Sequence, residues 1–318
     1  MSVVLYDERP QIFEALASCK TPVVISHVSP DGDTLGCGIA LYHRLKRLGK
    51  SVQLLCGDTI PPEYLFLPHA GEYRQHITAG YDLVICVDSS SADRFAPFLE
   101  EVTVPIINID HHITNSGFGT WRYVIGEAPA TAILMYDMLR SMGAIDYEEA
   151  YALYTALFTD TGGFRYSSSN AESHRVAAEL LEFGIDPWSV TMEIYESIPW
   201  QKVQLYRRCL ASIERHKGGK VATMYITAQD LLECQATPAD TDGFINYARS
   251  IQGVEVAMFV REDRVGCHKV SFRSKGLYDV SELCARFGGG GHKNAGGFTL
   301  EAGDTQAILQ QVLACIDV

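Results

Sequence analysis

Residues 106–115 read I-I-N-I-D-H-H-I-T-N, and the fold hangs on how that stretch is read. An apolar run, 106–109, ends abruptly in Asp110, His111 and His112. A short apolar run closed by polar residues reads as a buried strand reaching the edge of a sheet. In an open parallel sheet, ligands bind at the C-terminal ends of the strands. A carboxylate and two imidazoles placed there can supply metal ligands, an orienting acceptor and a proton donor. Taken alone, the stretch reads more readily as a polar loop with two incidental histidines. The surrounding chain decides between the two.

Working outward, the same pattern recurs. Residues 10–19 have the periodicity of a short amphipathic helix, and 21–26 (T-P-V-V-I-S) read as a strand. A loop is expected over 27–38 (H-V-S-P-D-G-D-T-L-G-C-G), then a helix over 39–48 closed by Gly49. Strands are expected at 51–55, 82–87 and 104–109. Strands alternating with helices of this length imply right-handed crossovers and a parallel sheet. From 131 the pattern turns helical, at 131–142, 147–159 and 171–183, the middle helix breaking at Gly162 and Gly163. A smaller second domain is expected to hold strands at 221–226 and 254–260, helices at 243–250 and 280–286, and a closing helix at 304–316. Residues 253–261 and 267–273 read as a hairpin. The expected class is therefore α/β, a mainly parallel sheet flanked by helices followed by a smaller α/β domain. The boundaries fall at 1–186, a partly helical linker at 187–205, and 206–318.

Composition narrows the function. The 318 residues hold 26 Lys/Arg against 39 Asp/Glu, a net charge of -13. From residue 201 onward there are 14 basic and 13 acidic residues, so the first 200 residues carry 12 and 26. That balance argues against a partner such as long duplex DNA, which needs a broad basic face. Nine cysteines are scattered, with no C-x-x-C pair, as expected of reduced thiols in a cytoplasmic protein. No signal peptide is expected, and no run approaches the ~20 apolar residues of a membrane span.

The acidic residues near strand ends form a set. His27, Asp31 and Asp33 lie in the expected loop, with Gly32 allowing a tight turn between the carboxylates. Asp88 ends V-I-C-V-D, and Asp160 ends A-L-F-T-D. With His111 these make a mixed oxygen and nitrogen donor set without thiolate. It suits two divalent ions, manganese with magnesium or iron as competitors, better than structural zinc. Two adjacent metals need one bridging carboxylate, and Asp88 stands centrally in the order.

At this point the chain resembles a known family. H-V-S-P-D-G-D-T-L-G, V-D-S-S, D-H-H and F-T-D-T-G-G-F, in this order, are similar to the motifs of the DHH phosphoesterase superfamily. F-G-G-G-G-H-K-N-A-G-G-F resembles the glycine-rich motif of the DHHA1 domain that follows in one subfamily. The resemblance implies one metal held by His27, Asp31 and Asp88, and a second by Asp33, Asp88, His111 and Asp160. It implies that His112 faces the scissile phosphate with Asp110 behind the histidines. In size and layout the chain is similar to stand-alone members that cleave short oligoribonucleotides and dephosphorylate 3′-phosphoadenosine 5′-phosphate. Related members act on cyclic or linear diadenylates. The family habit gives grounds for a homodimer.

Gly288, Gly289, Gly290 and Gly291 would let backbone N–H groups approach an anion, with His292 and Lys293 adding a donor and a charge. Arg273 could clamp a terminal phosphate in bidentate fashion. The expected activity is hydrolysis by in-line attack of an activated water on a nucleotide or short oligoribonucleotide, with the second domain gripping its far end. Three rivals are an inorganic pyrophosphatase or exopolyphosphatase, a RecJ-type exonuclease on long strands, and a non-catalytic nucleotide-binding regulator.

Overall fold

The strands Pro22–Ser26 and Leu83–Val87 are buried at every residue. Strands with no solvent face must be covered on both sides, and right-handed crossover helices between parallel strands provide that cover. The computed structural model describes residues 3–317 except Pro97 and Ala302. It divides into two units, Met1–Ser197 and Ile198–Val318.

The first unit begins with β1 (Val3–Asp7), α1 (Arg9–Ser18), β2 (Pro22–Ser26) and α2 (Gly32–Arg47). Four strands follow, β3 (Gln53–Cys56), β4 (Leu83–Val87), β5 (Ile106–Asp110) and β6 (Trp121–Gly126). Four helices complete it, α3 (Thr131–Ser141), α4 (Tyr147–Asp160), α5 (Ala171–Leu181) and α6 (Pro187–Tyr195). The strand order is β1-β6-β5-β4-β2-β3. β1 runs antiparallel to β6, and all other neighbours are parallel. β3 lies on one side of β2 and β4 on the other, so the order reverses at β2. Loops leaving a reversal point diverge and open a crevice at the C-terminal ends of the strands. The mainly parallel sheet agrees with the sequence reading. The edge strand β1 and its neighbour β6 were not foreseen, because Val3 and Val4 are exposed and the run at 121–126 mixes Trp121 and Arg122 into it.

One local expectation fails. The loop expected over 27–38 is short, and α2 begins at Gly32. Asp31 caps it, its side chain accepting from the N–H groups of Asp33 and Thr34. Gly32 therefore makes no tight turn between the carboxylates. Its glycine has another cause: a Cβ there would meet the Thr159 side chain at 2.2 Å, and one at Gly36 would meet the Ala152 carbonyl at 2.3 Å. These glycines let α2 lie directly on α4. A buried ion pair ties the same helices, Arg44 Nε and Nη2 donating to the two Glu149 oxygens at 2.7 and 2.6 Å. The two helices that carry Asp31, Asp33 and Asp160 are thus fixed relative to each other.

The second unit holds α7 (Trp200–Ala211), β7 (Glu214–His216), β8 (Val221–Ile226), α8 (Ala228–Cys234) and α9 (Ile245–Ser250). It continues with β9 (Val256–Arg264), β10 (Cys267–Ser274), α10 (Val280–Arg286), β11 (Gly290–His292), β12 (Ala295–Leu300) and α11 (Thr305–Leu313). Its sheet has the order β11-β12-β10-β9-β8-β7, with only β8 and β9 parallel. The expected hairpin is β9 and β10, turning at Gly266 with φ +78°. The segment 187–205 is occupied by α6 and the first part of α7. All nine cysteines are free thiols. Among the described residues no helix is long and apolar enough to cross a membrane.

Candidate metal centre

The ends of several elements of the first unit converge. His27 follows β2, Asp88 follows β4, and Asp110 closes β5 with His111 and His112 beyond it. Asp31 and Asp33 stand at the start of α2, and Asp160 at the end of α4. Their side chains come together in two groups, His27 with Asp31 and Asp88, and Asp33 with His111 and Asp160.

Asp88 lies between the groups. Its Oδ2 is 3.6 Å from His27 Nε2, and its Oδ1 is 3.6 Å from His111 Nε2. His27 Nε2 is also 3.9 Å from Asp31 Oδ1, and His111 Nε2 is 3.8 Å from Asp160 Oδ2. These separations exceed hydrogen-bond length. They are spacings that a cation sitting between the atoms would span. The histidines are turned for it: His27 Nδ1 lies 2.9 Å from the Val28 carbonyl and His111 Nδ1 2.9 Å from the Ala128 carbonyl. A carbonyl accepts only from a protonated nitrogen, so His111 keeps its proton on Nδ1 and aims the Nε2 lone pair at the carboxylates. His27 Nδ1 also lies 2.8 Å from Arg94 Nη2, a donor, and its Nε2 faces Asp31 and Asp88.

The carboxylates are held by other means than a basic side chain. Asp33 is buried and accepts from the N–H groups of Thr131 and Ala132, at 2.6 and 3.0 Å, at the start of α3. Asp88 is buried and accepts from Thr131 Oγ1 at 2.8 Å. Its backbone takes a left-handed φ of 64°, which costs ~1–3 kcal/mol and persists where the surroundings fix it. Here the Asp88 N–H donates to the Ile109 carbonyl at 2.8 Å.

Burial and crowding set the charges. Burial pushes the Asp33 carboxyl well above its usual range, and Asp88, Asp160 and Asp31 add to the effect. Burial likewise drives Asp160 up to about 7, with His111 opposing and Asp88 and Asp31 reinforcing. Burial also raises Asp88, but His27, His111 and His112 outweigh it and hold that carboxyl at about 2. Left to itself the cluster takes up protons. Divalent cations would replace them and keep every oxygen ionised. The donor set therefore fits such ions: hard oxygens, two oriented imidazoles and no thiolate.

His112 is arranged differently. Its Nδ1 donates to Asp110 Oδ1 at 2.6 Å, and the fully buried Asp110 also accepts from Asn115. Burial lowers the His112 pKa, but that hydrogen bond and the Asp110 charge prevail and raise it. A partly exposed imidazole that keeps its proton, within reach of Asp88 and His111, can donate from Nε2.

The sequence marked every side chain of the two groups but not their supports, Thr131, Arg94, the Val28 and Ala128 carbonyls, and Asn115. Backbone groups and a lone threonine at a helix start leave no pattern in a sequence.

The residues marked in the second unit lie on β10, at the end of α10, and on β11 and just beyond it. Arg273 is on β10, its Nη1 donating to the Phe272 carbonyl at 2.9 Å. Gly290, Gly291 and His292 form β11, paired with β12, and Lys293 is exposed beyond it. The side chain of His292 lies outside the described residues. The expectation that Gly288 and Gly289 aim their N–H groups at an anion is corrected. Those groups donate to the Ala285 and Cys284 carbonyls at 3.1 and 3.0 Å, closing the end of α10.

A model of the DHH family, N-terminal domain, matches residues 22–157, and a model of the DHHA1 domain matches residues 218–317. A Thermus thermophilus protein named bifunctional oligoribonuclease and PAP phosphatase NrnA is 33% identical over 316 residues, covering 96% of this chain and 92% of its own. The crystal structure of an exopolyphosphatase-related protein from Bacteroides fragilis superposes with a TM-score of 0.91 at 26% identity, over 98% of this chain and 97% of that one. RecJ of Thermus thermophilus, solved in complex with Mn2+, has the same fold at 17% identity and a TM-score of 0.54, over 96% of this chain and 53% of RecJ.

Proposed function

The chain belongs to the DHH family of phosphoesterases, and on that premise we propose that it hydrolyses short oligoribonucleotides and dinucleotides such as pApA to mononucleotides. Removal of the 3′-phosphate of 3′-phosphoadenosine 5′-phosphate is part of the same proposal, following the name of the Thermus relative. The observation that carries it is the placing of Asp88, one oxygen 3.6 Å from His27 and the other 3.6 Å from His111. One carboxylate facing two histidine-carboxylate groups is what a pair of cations sharing a ligand requires.

In this reading His27, Asp31 and Asp88 hold one divalent ion, and Asp33, Asp88, His111 and Asp160 hold the other, manganese by preference. When bound, the ions supply charge neutralisation at phosphorus and a water acidic enough to attack it. His112, its proton retained by Asp110, donates to the leaving oxygen. Residues 1–186 carry this chemistry, 187–205 join, and 206–318 bind substrate through Arg273, the 290–293 strand end and its lysine. The acidic first part of the chain disfavours a long polyanion. Nine free thiols suit the cytoplasm.

The test is a panel at matched concentration with manganese: pApA, RNAs of two to five nucleotides, a 24-mer, cyclic diadenylate, a 3′,5′-bisphosphonucleotide and inorganic polyphosphate. Short RNAs should be cleaved at least tenfold faster than the 24-mer. Equal rates on both lengths would overturn the short-substrate reading. Turnover of polyphosphate alone would overturn the nucleotide reading.

A further inference from the structure

A second convergence of ligand atoms lies in the first unit. It sits ten residues along α2 from Asp33, roughly 15 Å at the rise of an α-helix. His43 is on α2, His69 precedes a short 3-10 helix at Ala70–Glu72, and Glu148 is in the first turn of α4. His43 Nδ1 and His69 Nε2 are 3.0 Å apart. Glu148 Oε2 is 3.2 Å from the first and 2.9 Å from the second.

The outer sides of both rings fix where their protons sit. His43 Nε2 is 2.8 Å from Asp146 Oδ2, and His69 Nδ1 is 3.3 Å from Glu72 Oε1. When each outer nitrogen donates a hydrogen bond to the carboxylate facing it, the inward nitrogens present lone pairs. Two lone pairs and a carboxylate oxygen then point at one another. That arrangement repels itself unless a proton or a metal ion occupies the middle. Donors held about 2.0–2.1 Å from a tetrahedral zinc ion stand about 3.3 Å from each other, close to the spacing here. A carboxylate behind each ligating histidine is the usual companion of such sites.

We propose that His43, His69 and Glu148 form a further metal site, for a transition-metal ion of the zinc type, separate from the centre around Asp88. Two imidazoles and one carboxylate suit zinc or cobalt better than magnesium. The donors come from three segments distant in sequence, so the ion staples α2 and α4 to the 69–72 turn. Glu148 is partly exposed, which leaves a coordination position to solvent.

The experiment uses the full chain, stripped with a chelator and dialysed to equilibrium against Zn2+ or Co2+. His69 has a left-handed φ of 61°, so the variant of choice is His69→Asn, since asparagine tolerates that backbone. Glu148→Gln, on a more exposed residue, supplies the same comparison if the first variant folds poorly. Parent protein should retain one more equivalent of zinc than either variant. The cobalt-loaded parent should show a tetrahedral visible absorption that both variants lose. Circular dichroism of the metal-free proteins should be unchanged. Equal metal content and equal cobalt spectra in parent and variants would overturn the proposal and leave a histidine-carboxylate hydrogen-bond network.

Discussion

The centre around Asp88 and the glycine-rich hairpin of the second unit were both conspicuous in the sequence, and the structure treats them in opposite ways. At the centre, marked side chains face one another and the backbone serves them: the Ala128 carbonyl orients His111, and α3 donates to Asp33. In the hairpin the backbone serves itself. A Cβ at Gly289 would meet the Gly297 carbonyl at 2.2 Å, one at Gly291 the Ala295 carbonyl at 2.4 Å, and one at Gly297 the Val270 carbonyl at 2.8 Å. Close approach of strand to strand accounts for these glycines before any ligand is invoked. A motif of chemically distinct side chains points to chemistry. A motif of glycines points only to a lack of room.

The largest expected effect breaks the comparison on its first side. Asp88→Ala should lower kcat/KM by roughly 10³-fold, or about 4 kcal/mol, because both histidine groups lose the carboxylate they share. Bound manganese should fall at both positions, read by metal analysis after gel filtration. A variant with normal metal content would show that Asp88 is not shared, and the centre would be no better founded than the hairpin.

The same contrast explains what the sequence disclosed. Parallel strands were legible because the runs at 82–87 and 104–109 are apolar without alternation and end in Asp88 and in Asp110-His111-His112. The start of α2 was not, since Gly32, Gly36 and Gly38 read as loop until the neighbouring α4 and β2 side chains are in place. β1 was missed because an exposed edge strand lacks the buried pattern that reveals the others. Of the centre, every side chain that ends a strand or breaks a helix was legible. Partners such as the Ala128 carbonyl and the Thr131 N–H were not, because they are backbone groups brought from 17 and 98 positions away. The cluster of His43, His69 and Glu148 left no motif, its members being isolated in sequence and joined only by packing.

A smaller effect sharpens the second side. Gly291 has φ +150° and would place a Cβ 2.4 Å from the Gly296 Cα and the Ala295 oxygen, backbone atoms that cannot swing aside. Gly291→Ala should therefore destabilise the second unit by about 3 kcal/mol, measured as a lower urea midpoint. A Cβ at Gly290 meets nothing within 4 Å. Gly290→Ala should change stability by less than about 0.5 kcal/mol. If Gly290→Ala kept its stability but bound pApA tenfold more weakly, the backbone there would be contacting the ligand, and packing would no longer suffice as the reason for the run.

The smallest effect tests whether protons stand in for cations at the centre. Burial holds the Asp160 carboxyl up to about 7, against His111 and with Asp88 and Asp31. An unfolded aspartate titrates near 4, so between about pH 4 and 7 the folded, metal-free chain keeps a proton that the unfolded chain has released. The folded state binds more protons across that window, and stability must fall as pH rises through it. Asp88, whose carboxyl is held at about 2, has the opposite sign, but its contribution changes only below about pH 4. Asp160 is partly exposed, so solvent screening reduces its contribution to on the order of 1–2 kcal/mol. Stripped protein should thus melt a few degrees lower at pH 8 than at pH 5, and manganese should raise the melting temperature more at pH 8. Asp160→Asn removes one of the raised carboxyls and should reduce the slope of the stripped protein, leaving the part that Asp33 contributes with the same sign. A stripped parent whose stability is level from pH 5 to 8 would mean that neither Asp160 nor Asp33 holds a proton there without a cation, and that the crowding of carboxylates is relieved by something other than protons.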